Sequence, residues 1–217
     1  MKPLRTALLA FAASTLLATS ASAQVVRAFT ARYSINAPGD ITLLGNTLMS
    51  CSGNGNTCTR GQNGTGNSTN DNDFNMAYVD IDADATTFSS STANLTLPAG
   101  ATVLWAGLYW GGDTNNAARN TCRFGTPLAG YATQTATQTD VSANTRYSCF
   151  KDVTTLVQAG GAGTYKMANV YSTPGAADVY AGWALVVVYR DATKPNRNLV
   201  VADGYALVDN TSTVTFT

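Results

Sequence analysis

Two long apolar runs stand out in the pattern of hydrophobic and polar positions along this chain. Residues 103–110 read VLWAGLYW and residues 181–189 read AGWALVVVY, each almost free of polar side chains. Continuous apolarity over this length predicts strands that are buried on both faces. We therefore expect these two segments near the centre of the fold.

Shorter segments with alternating or β-prone character predict further strands. They lie at residues 25–35, 41–44, 76–81, 95–97, 131–139, 198–202 and 212–216. Asn36 to Asp40, which contains Pro and Gly, predicts a turn between the first two. About nine or ten strands with turn signals between them predict an all-β fold, an antiparallel β-sandwich of the jelly-roll type.

One window after the N-terminal segment predicts a helix, at residues 152–158. Asp152 can cap its first turn, and Gly160 and Gly161 end it. Residues 51–73 are instead rich in Gly, Asn, Ser and Thr, with almost no apolar side chain. Such a segment buries too little surface to join a core, so we predict a long surface loop.

The first 23 residues have the three parts of a secretory signal peptide. Lys2 and Arg5 form a basic start, residues 8–17 are apolar, and Ala21-Ser22-Ala23 is a small-residue cleavage site. The apolar run is too short to serve as a membrane anchor. We therefore predict a secreted or cell-surface protein whose residues 24–217 form one domain.

The four cysteines fit an exported protein. Their spacing favours two local disulfides, Cys51–Cys58 across the Gly/Asn-rich loop and Cys122–Cys149 across a hairpin-sized segment. Three pairings of four cysteines exist in principle. No Cys-x-x-Cys spacing accompanies them, which argues against a zinc site.

The chain contains neither glutamate nor histidine. Without histidine, Ser-His-Asp and Cys-His catalysis are excluded, and the commonest metal-ligating side chain is missing. Removal of Lys2 and Arg5 leaves eleven basic against thirteen acidic side chains, a net charge near −2. No basic stripe supports nucleic-acid binding. A secreted hydrolase that uses paired aspartates stays open as an alternative, although no motif marks such a pair.

An acidic segment after the loop predicts a Ca²⁺ site. Its members are Asp71, Asp73, Asp80, Asp82 and Asp84, with Asn70 and Asn72 as further oxygen donors. Alternating aspartates place their carboxylates on one side of the chain, and Ca²⁺ takes about six to eight oxygen ligands. The spacing is not that of an EF-hand loop. The alternative is a solvated acidic loop end that binds no metal.

Numerous aromatic side chains favour a second alternative, a carbohydrate-binding module. Trp105 and Trp183 lie in the most apolar runs and are predicted to be core residues. Trp110 borders Gly111-Gly112 at a strand end, so we predict that it is exposed and stacks on a sugar. Asp113 and Asn115 would supply hydrogen bonds to that sugar.

Three segments carry a family resemblance: LPAGATVLWAGLYWGG at residues 97–112, DVTTLV at residues 152–157 and YAGWALVVVY at residues 180–189. Together they resemble the N-terminal β-domain of long bacterial secreted or cell-surface proteins, in which tandem immunoglobulin-like repeats follow. The similarity runs from about Phe29 onward. The resemblance implies a surface-exposed, adhesin-like or structural module, and it carries over no catalytic residues. This chain departs from the family in stopping at Thr217, where such proteins would continue.

Residues 211–217 alternate between polar and apolar side chains up to the last residue. The pattern predicts either an ordinary terminal strand or an open edge that joins a neighbouring subunit or a following immunoglobulin-like domain by strand addition. We therefore predict a non-catalytic extracellular surface module in adhesion, or in envelope or filament structure.

Overall fold

Antiparallel strands make up most of the chain in the computed structural model, which describes residues 24–52, 56–66 and 73–208. The strands are β1 Gln24–Thr47, β2 Met49–Cys51, β3 Met76–Tyr78, β4 Ser90–Leu95, β5 Thr102–Asp113, β6 Thr121–Thr126, β7 Ala129–Thr135, β8 Gln138–Ser142, β9 Arg146–Asp152, β10 Gly163–Ala168, β11 Ala181–Arg190 and β12 Asn196–Leu207. The helices are α1 Asn56–Asn63 and α2 Thr154–Gly160, with a 3₁₀ turn at Ala117–Asn120. The predicted all-β sandwich is confirmed.

Two sheets face each other across the core. One has six strands in the order β12-β1-β11-β5-β9-β8, and the other has four in the order β4-β10-β6-β7. A small third sheet pairs β2 with β3. These counts exceed the eight strands of a simple jelly roll.

The two apolar runs form the neighbouring central strands β5 and β11, as predicted. Successive side chains of a strand point to opposite faces of its sheet. On the inner face, Leu108 and Trp110 of β5 and Leu185 of β11 are buried in the main core between the sheets. On the outer face, Trp105 of β5 and Val188 of β11 belong to a second core. Burial on both faces explains why these runs contain almost no polar side chain.

The turn predicted at Asn36 to Asp40 is wrong, because β1 runs through it as one strand. Residues 24–38 of β1 pair with β12, whereas residues 39–47 pair with β11. The switch falls at Pro38 and Gly39, where the Asp191 amide donates to the Pro38 carbonyl over 3.0 Å. A Cβ at Gly39 would collide with the Tyr189 carbonyl oxygen. The turn-forming residues therefore allow a change of partner strand instead of reversing the chain.

This switch divides the six-stranded sheet into two parts. We call residues 24–38 of β1 together with β12 the ribbon, and residues 39–47 of β1 together with β11, β5, β9 and β8 the main sheet. The ribbon lies over the outer face of the main sheet and curls the whole into a half-barrel. Tyr33 of the ribbon stacks on Trp105, with ring centroids 5.5 Å apart. The buried members of this second core are Trp105, Phe150, Val186, Val188 and Leu199.

The predicted strand at residues 131–139 is divided between two sheets. Its first part is in β7, which pairs with β6, and its last part is in β8, which pairs with β9. The crossing lies between Ala136, whose amide donates to Asn120, and Thr137, whose amide donates to Phe150. An alternating pattern does not show where a chain moves from one sheet to the other.

The helix predicted at residues 152–158 is confirmed as α2, with the Asp152 carboxylate accepting a hydrogen bond from the Thr154 amide over 2.9 Å. A second helix, α1, begins at Asn56 inside the segment predicted as a loop. In the ranges that the structure describes, neither helix is long and apolar enough to cross a membrane.

One of the two predicted disulfides is formed. Cys51 and Cys58 are bonded and join β2 to α1. The Cys122–Cys149 prediction is wrong, because both cysteines are free, buried thiols. They lie on β6 and β9, strands of the two opposed sheets, and not on one hairpin. The Cys149 sulfur contacts the Arg119 carbonyl at 3.6 Å instead.

Candidate functional site

A network of charged side chains fastens the ribbon to the outer face of the main sheet. Arg27 donates from Nε to both oxygens of Asp140, at 3.1 and 3.0 Å, and from Nη1 to Asp203 at 2.8 Å. Arg32 donates to both oxygens of Asp203, each at 2.9 Å. The Tyr109 hydroxyl adds a further hydrogen bond of 2.9 Å to Asp203. The ribbon strands and β5 and β8 of the main sheet are thereby joined through two carboxylates.

The hydrogen bonds of this network keep the Asp203 carboxyl ionised. Burial acts to raise its pKa, but the hydrogen bonds from Arg32, Arg27 and Tyr109 outweigh burial and hold the pKa below its ordinary value. For Tyr109, burial and then the hydrogen bond to Asp203 raise the pKa. The phenol therefore stays protonated and donates to a charged acceptor, which is a strong form of hydrogen bond.

An apolar groove of about 550 Å³ runs beside β12 on the outer face; we call it the outer groove. Its lining residues are Ile41, Leu43, Tyr109, Ala184, Val186, Val200, Val201, Ala202 and Asp203. The last four are consecutive residues of β12. Because consecutive side chains of a strand point to opposite faces, the outer groove follows the edge of β12 and not one of its faces. Leu43 is 68% exposed and Val200 is 45% exposed.

A shallower hollow of about 270 Å³ continues from the outer groove, sharing Tyr109 and Ala184 with it. Its floor includes Gly111 and Gly182, which have no side chains to fill it. Tyr180, which is 44% exposed, forms one wall.

A third cavity, of about 400 Å³, lies on the other side of the charged network. Arg27, Ala28, Thr30, Ala31 and Arg32 of the ribbon and Gln138 of β8 line it. We call it the arginine cavity. Neither Asp140 nor Asp203 is among its lining residues.

The prediction that Trp110 is exposed and stacks on a sugar is wrong. Trp110 is 2% exposed and belongs to the main core, where its indole Nε1 donates to the Arg119 carbonyl over 3.2 Å. Asp113 faces Arg146 at 3.6 Å, and Asn115 is exposed in the segment that follows β5. Gly111 and Gly112 lie inside β5, so the glycine pair did not mark a strand end. Trp105 and Trp183 are buried, as predicted.

The aspartates predicted to bind Ca²⁺ are engaged by protein donors where the structure describes them. Asp80 accepts from the Ser90 hydroxyl, Asp82 from the Tyr131 hydroxyl at 2.7 Å, and Asp84 from the Thr86 amide at 2.9 Å. Asp73 is exposed, and Asp71 lies outside the described residues. Among the described residues, no three acidic or cysteine side chains are grouped to hold a metal ion. Calcium binding by this segment stays a prediction, which thermal unfolding with and without a chelator tests.

The residues of the charged network were not predicted from the sequence. Arg27 and Asp203 are 176 positions apart, so no local motif joins them. The available signal was the presence of charged residues inside or directly after strand-forming segments, namely Arg27, Arg32 and Asp203. A charge at such a position predicts a buried ion pair only when its partner is known.

Comparison of the chain with protein families, with curated proteins and with solved structures gives no match. The resemblance to the N-terminal domain of bacterial surface proteins therefore stays a prediction.

Proposed function

We propose that this protein is a non-catalytic extracellular surface module that assembles with a second polypeptide by strand addition, in adhesion or in envelope or filament structure. The observation that carries the proposal is the outer groove beside the edge of β12. Export through residues 1–23, which lie outside the described residues, is part of the proposal.

Strand addition requires an edge with unpaired backbone groups. β12 pairs with β1 on one side, and no strand of the described part of the chain pairs with its other side. Folded proteins usually cover or charge such edges, because they template pairing with other chains. Here the neighbouring surface is apolar and carries the exposed side chains of Leu43 and Val200.

The outer groove and the β12 edge suit the same kind of partner. In strand addition, backbone hydrogen bonds supply affinity and pockets for alternate side chains supply specificity. A segment that alternates apolar and polar residues would pair with β12 and direct its apolar side chains into the outer groove. Aliphatic residues supply most of the lining, which favours a polypeptide over a sugar.

The chain itself contains such a sequence in residues 211–217, Thr-Ser-Thr-Val-Thr-Phe-Thr, which lie outside the described residues. We propose this segment of a second copy as the occupant. Val214 and Phe216, two positions apart, would supply the apolar side chains.

Sedimentation of the purified protein over a range of concentrations tests this proposal. We expect concentration-dependent self-association that Leu43→Asp abolishes, because a carboxylate would be buried in the outer groove. Leu128→Asp is the matched control, since Leu128 is 80% exposed and is not a lining residue of the outer groove. A monomeric native protein at all concentrations, or equal loss in both variants, contradicts the proposal.

One observation favours carbohydrate binding as a second candidate function. Exposed Tyr180 stands beside the shallow hollow above Gly111 and Gly182, an arrangement that leaves room for a flat ring against an aromatic side chain. Saturable sugar binding that Tyr180→Ala abolishes would support this candidate.

An aspartate-dependent hydrolase receives less support. A carboxylic acid that donates a proton in glycoside hydrolysis needs a raised pKa, whereas the pKa of Asp203 is lowered.

A further inference from the structure

The arginine cavity presents fixed positive groups. Asp140 and Asp203 take the Nε and one terminal nitrogen of Arg27, and Asp203 takes the Nε and one terminal nitrogen of Arg32. The other terminal nitrogens, Nη2 of Arg27 and Nη1 of Arg32, have no hydrogen-bond acceptor among the residues that the structure describes. Each guanidinium group thus keeps unused N–H donors beside a cavity of about 400 Å³.

These arginines are held in place before any ligand arrives. The guanidinium carbon of Arg32 lies 4.1 Å from the centre of the Phe150 ring, so one face of the group is covered. Arg27 is held by two carboxylates at once. A ligand would therefore meet arginines that lose little further conformational freedom on binding, which favours affinity.

The charges around the arginine cavity are unevenly placed. Arg27 and Arg32 line it, whereas the two aspartates that pair with them do not. Asp203 lines the outer groove on the other side of the network. The charged side chains that line the arginine cavity are therefore both cationic, although the network as a whole has no net charge.

We propose that the arginine cavity binds the carboxylate of an acidic sugar. Guanidinium groups match carboxylates in geometry and charge. The Thr30 hydroxyl and the Oε1 of Gln138, whose Nε2 already donates to Asp140, offer hydrogen bonds to sugar hydroxyl groups, and Ala28 and Ala31 leave space for a ring. The volume is at the lower end of the range of small-molecule sites, as suits one sugar unit.

Calorimetric titration of the purified protein with D-glucuronate, with D-glucose and acetate as counterparts, tests this inference. We expect saturable binding of glucuronate and at least about tenfold weaker binding of both counterparts, because glucose lacks the carboxylate and acetate lacks the sugar ring. No saturable binding of glucuronate overturns the inference. Glucose binding of equal strength removes the role of the carboxylate, and equal acetate binding removes the role of the sugar, so either result overturns it as well.

A variant locates the site without disturbing the ion pairs. Thr30→Asp places a carboxylate at the cavity wall on an exposed position, and it is expected to weaken glucuronate binding about tenfold or more. Thr133→Asp, on the exposed edge of β7 in the opposite sheet, is the matched control and should bind as the native protein does. Unchanged binding by Thr30→Asp overturns the inference. Leu43→Asp should bind glucuronate normally, which separates this site from the assembly surface.

Discussion

The Arg27 guanidinium donates two hydrogen bonds, of 3.1 and 3.0 Å, to the Asp140 carboxylate across 113 positions of sequence. This contact joins the first strand to β8, the strand at the opposite end of the six-stranded sheet. It therefore holds the ribbon over the outer face and helps to position β12 beside the outer groove.

Loss of this contact should loosen the ribbon. We expect Arg27→Gln to lower the free energy of unfolding by about 2–3 kcal/mol, because two carboxylates lose a charged donor in a partly buried site. We expect the variant to speed up hydrogen exchange of the β12 amides more than that of the β5 amides. Arg190→Gln, at an exposed arginine, is the control and should change stability by less than about 0.5 kcal/mol. An equal effect in both variants would show that the network does not secure the ribbon.

The contribution of Asp203 should depend on pH in a defined direction. Its pKa in the folded protein is below the ordinary value of about 3.9, so folding favours the ionised form. The stabilisation that the ionised Asp203 carboxylate supplies is therefore complete above about pH 5. It is lost as the pH falls through the lowered pKa of Asp203 in the folded protein. Asp203→Asn should be less stable than the native protein at neutral pH, by about 1.5–3 kcal/mol. In urea unfolding the difference should shrink below about pH 4; a difference that grows on acidification would contradict the assignment.

The second core leaves no room for a methyl group at Gly107. A Cβ there would collide with the Trp105 indole and lie 3.0 Å from the Phe150 ring. We expect Gly107→Ala to destabilise the protein by about 1–3 kcal/mol through overpacking, with a change in tryptophan fluorescence. Gly130→Ala is the matched control, because no atom of the described residues lies within 4 Å of a Cβ at that strand position. Equal thermal midpoints of the two variants would contradict the close packing of Trp105 and Phe150 over Gly107.

A thiol reagent should react with two cysteines, Cys122 and Cys149, only after the protein is unfolded. Burial raises the pKa of the Cys149 thiol to about 11 and that of Cys122 well above its ordinary value, so neither reacts readily in the folded state. We expect a thiol reagent to modify neither cysteine in the native protein and both in denaturant without reductant. If no thiol reacts in denaturant, Cys122 and Cys149 are disulfide-bonded, as the sequence predicted.

Sequence patterns predicted what depends on neighbouring residues. The runs at residues 103–110 and 181–189 became β5 and β11 because a strand buried on both faces needs apolar residues at every position. The helix α2 was predicted from Asp152, which accepts a hydrogen bond from the Thr154 amide, and from the glycines at its end. The Cys51–Cys58 disulfide closes a short loop and needed only local spacing.

Features that depend on distant partners were missed. Pro38 and Gly39 carry turn signals, yet they serve a change of partner strand that depends on β11 and β12, more than 140 positions later. Trp110 is buried because it lies in the main core with side chains of the opposite sheet, such as Phe124 and Tyr165. Neither the change of partner strand at Pro38 and Gly39 nor the burial of Trp110 can be predicted from the neighbouring residues alone.

The most direct test of the assembly proposal is hydrogen exchange of the β12 amides in dilute and in concentrated native protein. Strand addition predicts that alternate amides of β12, those on the side away from β1, become protected as the protein associates, and that Leu43→Asp shows no such change. Association without protection of β12, or protection of β4 or β7 in its place, would contradict it.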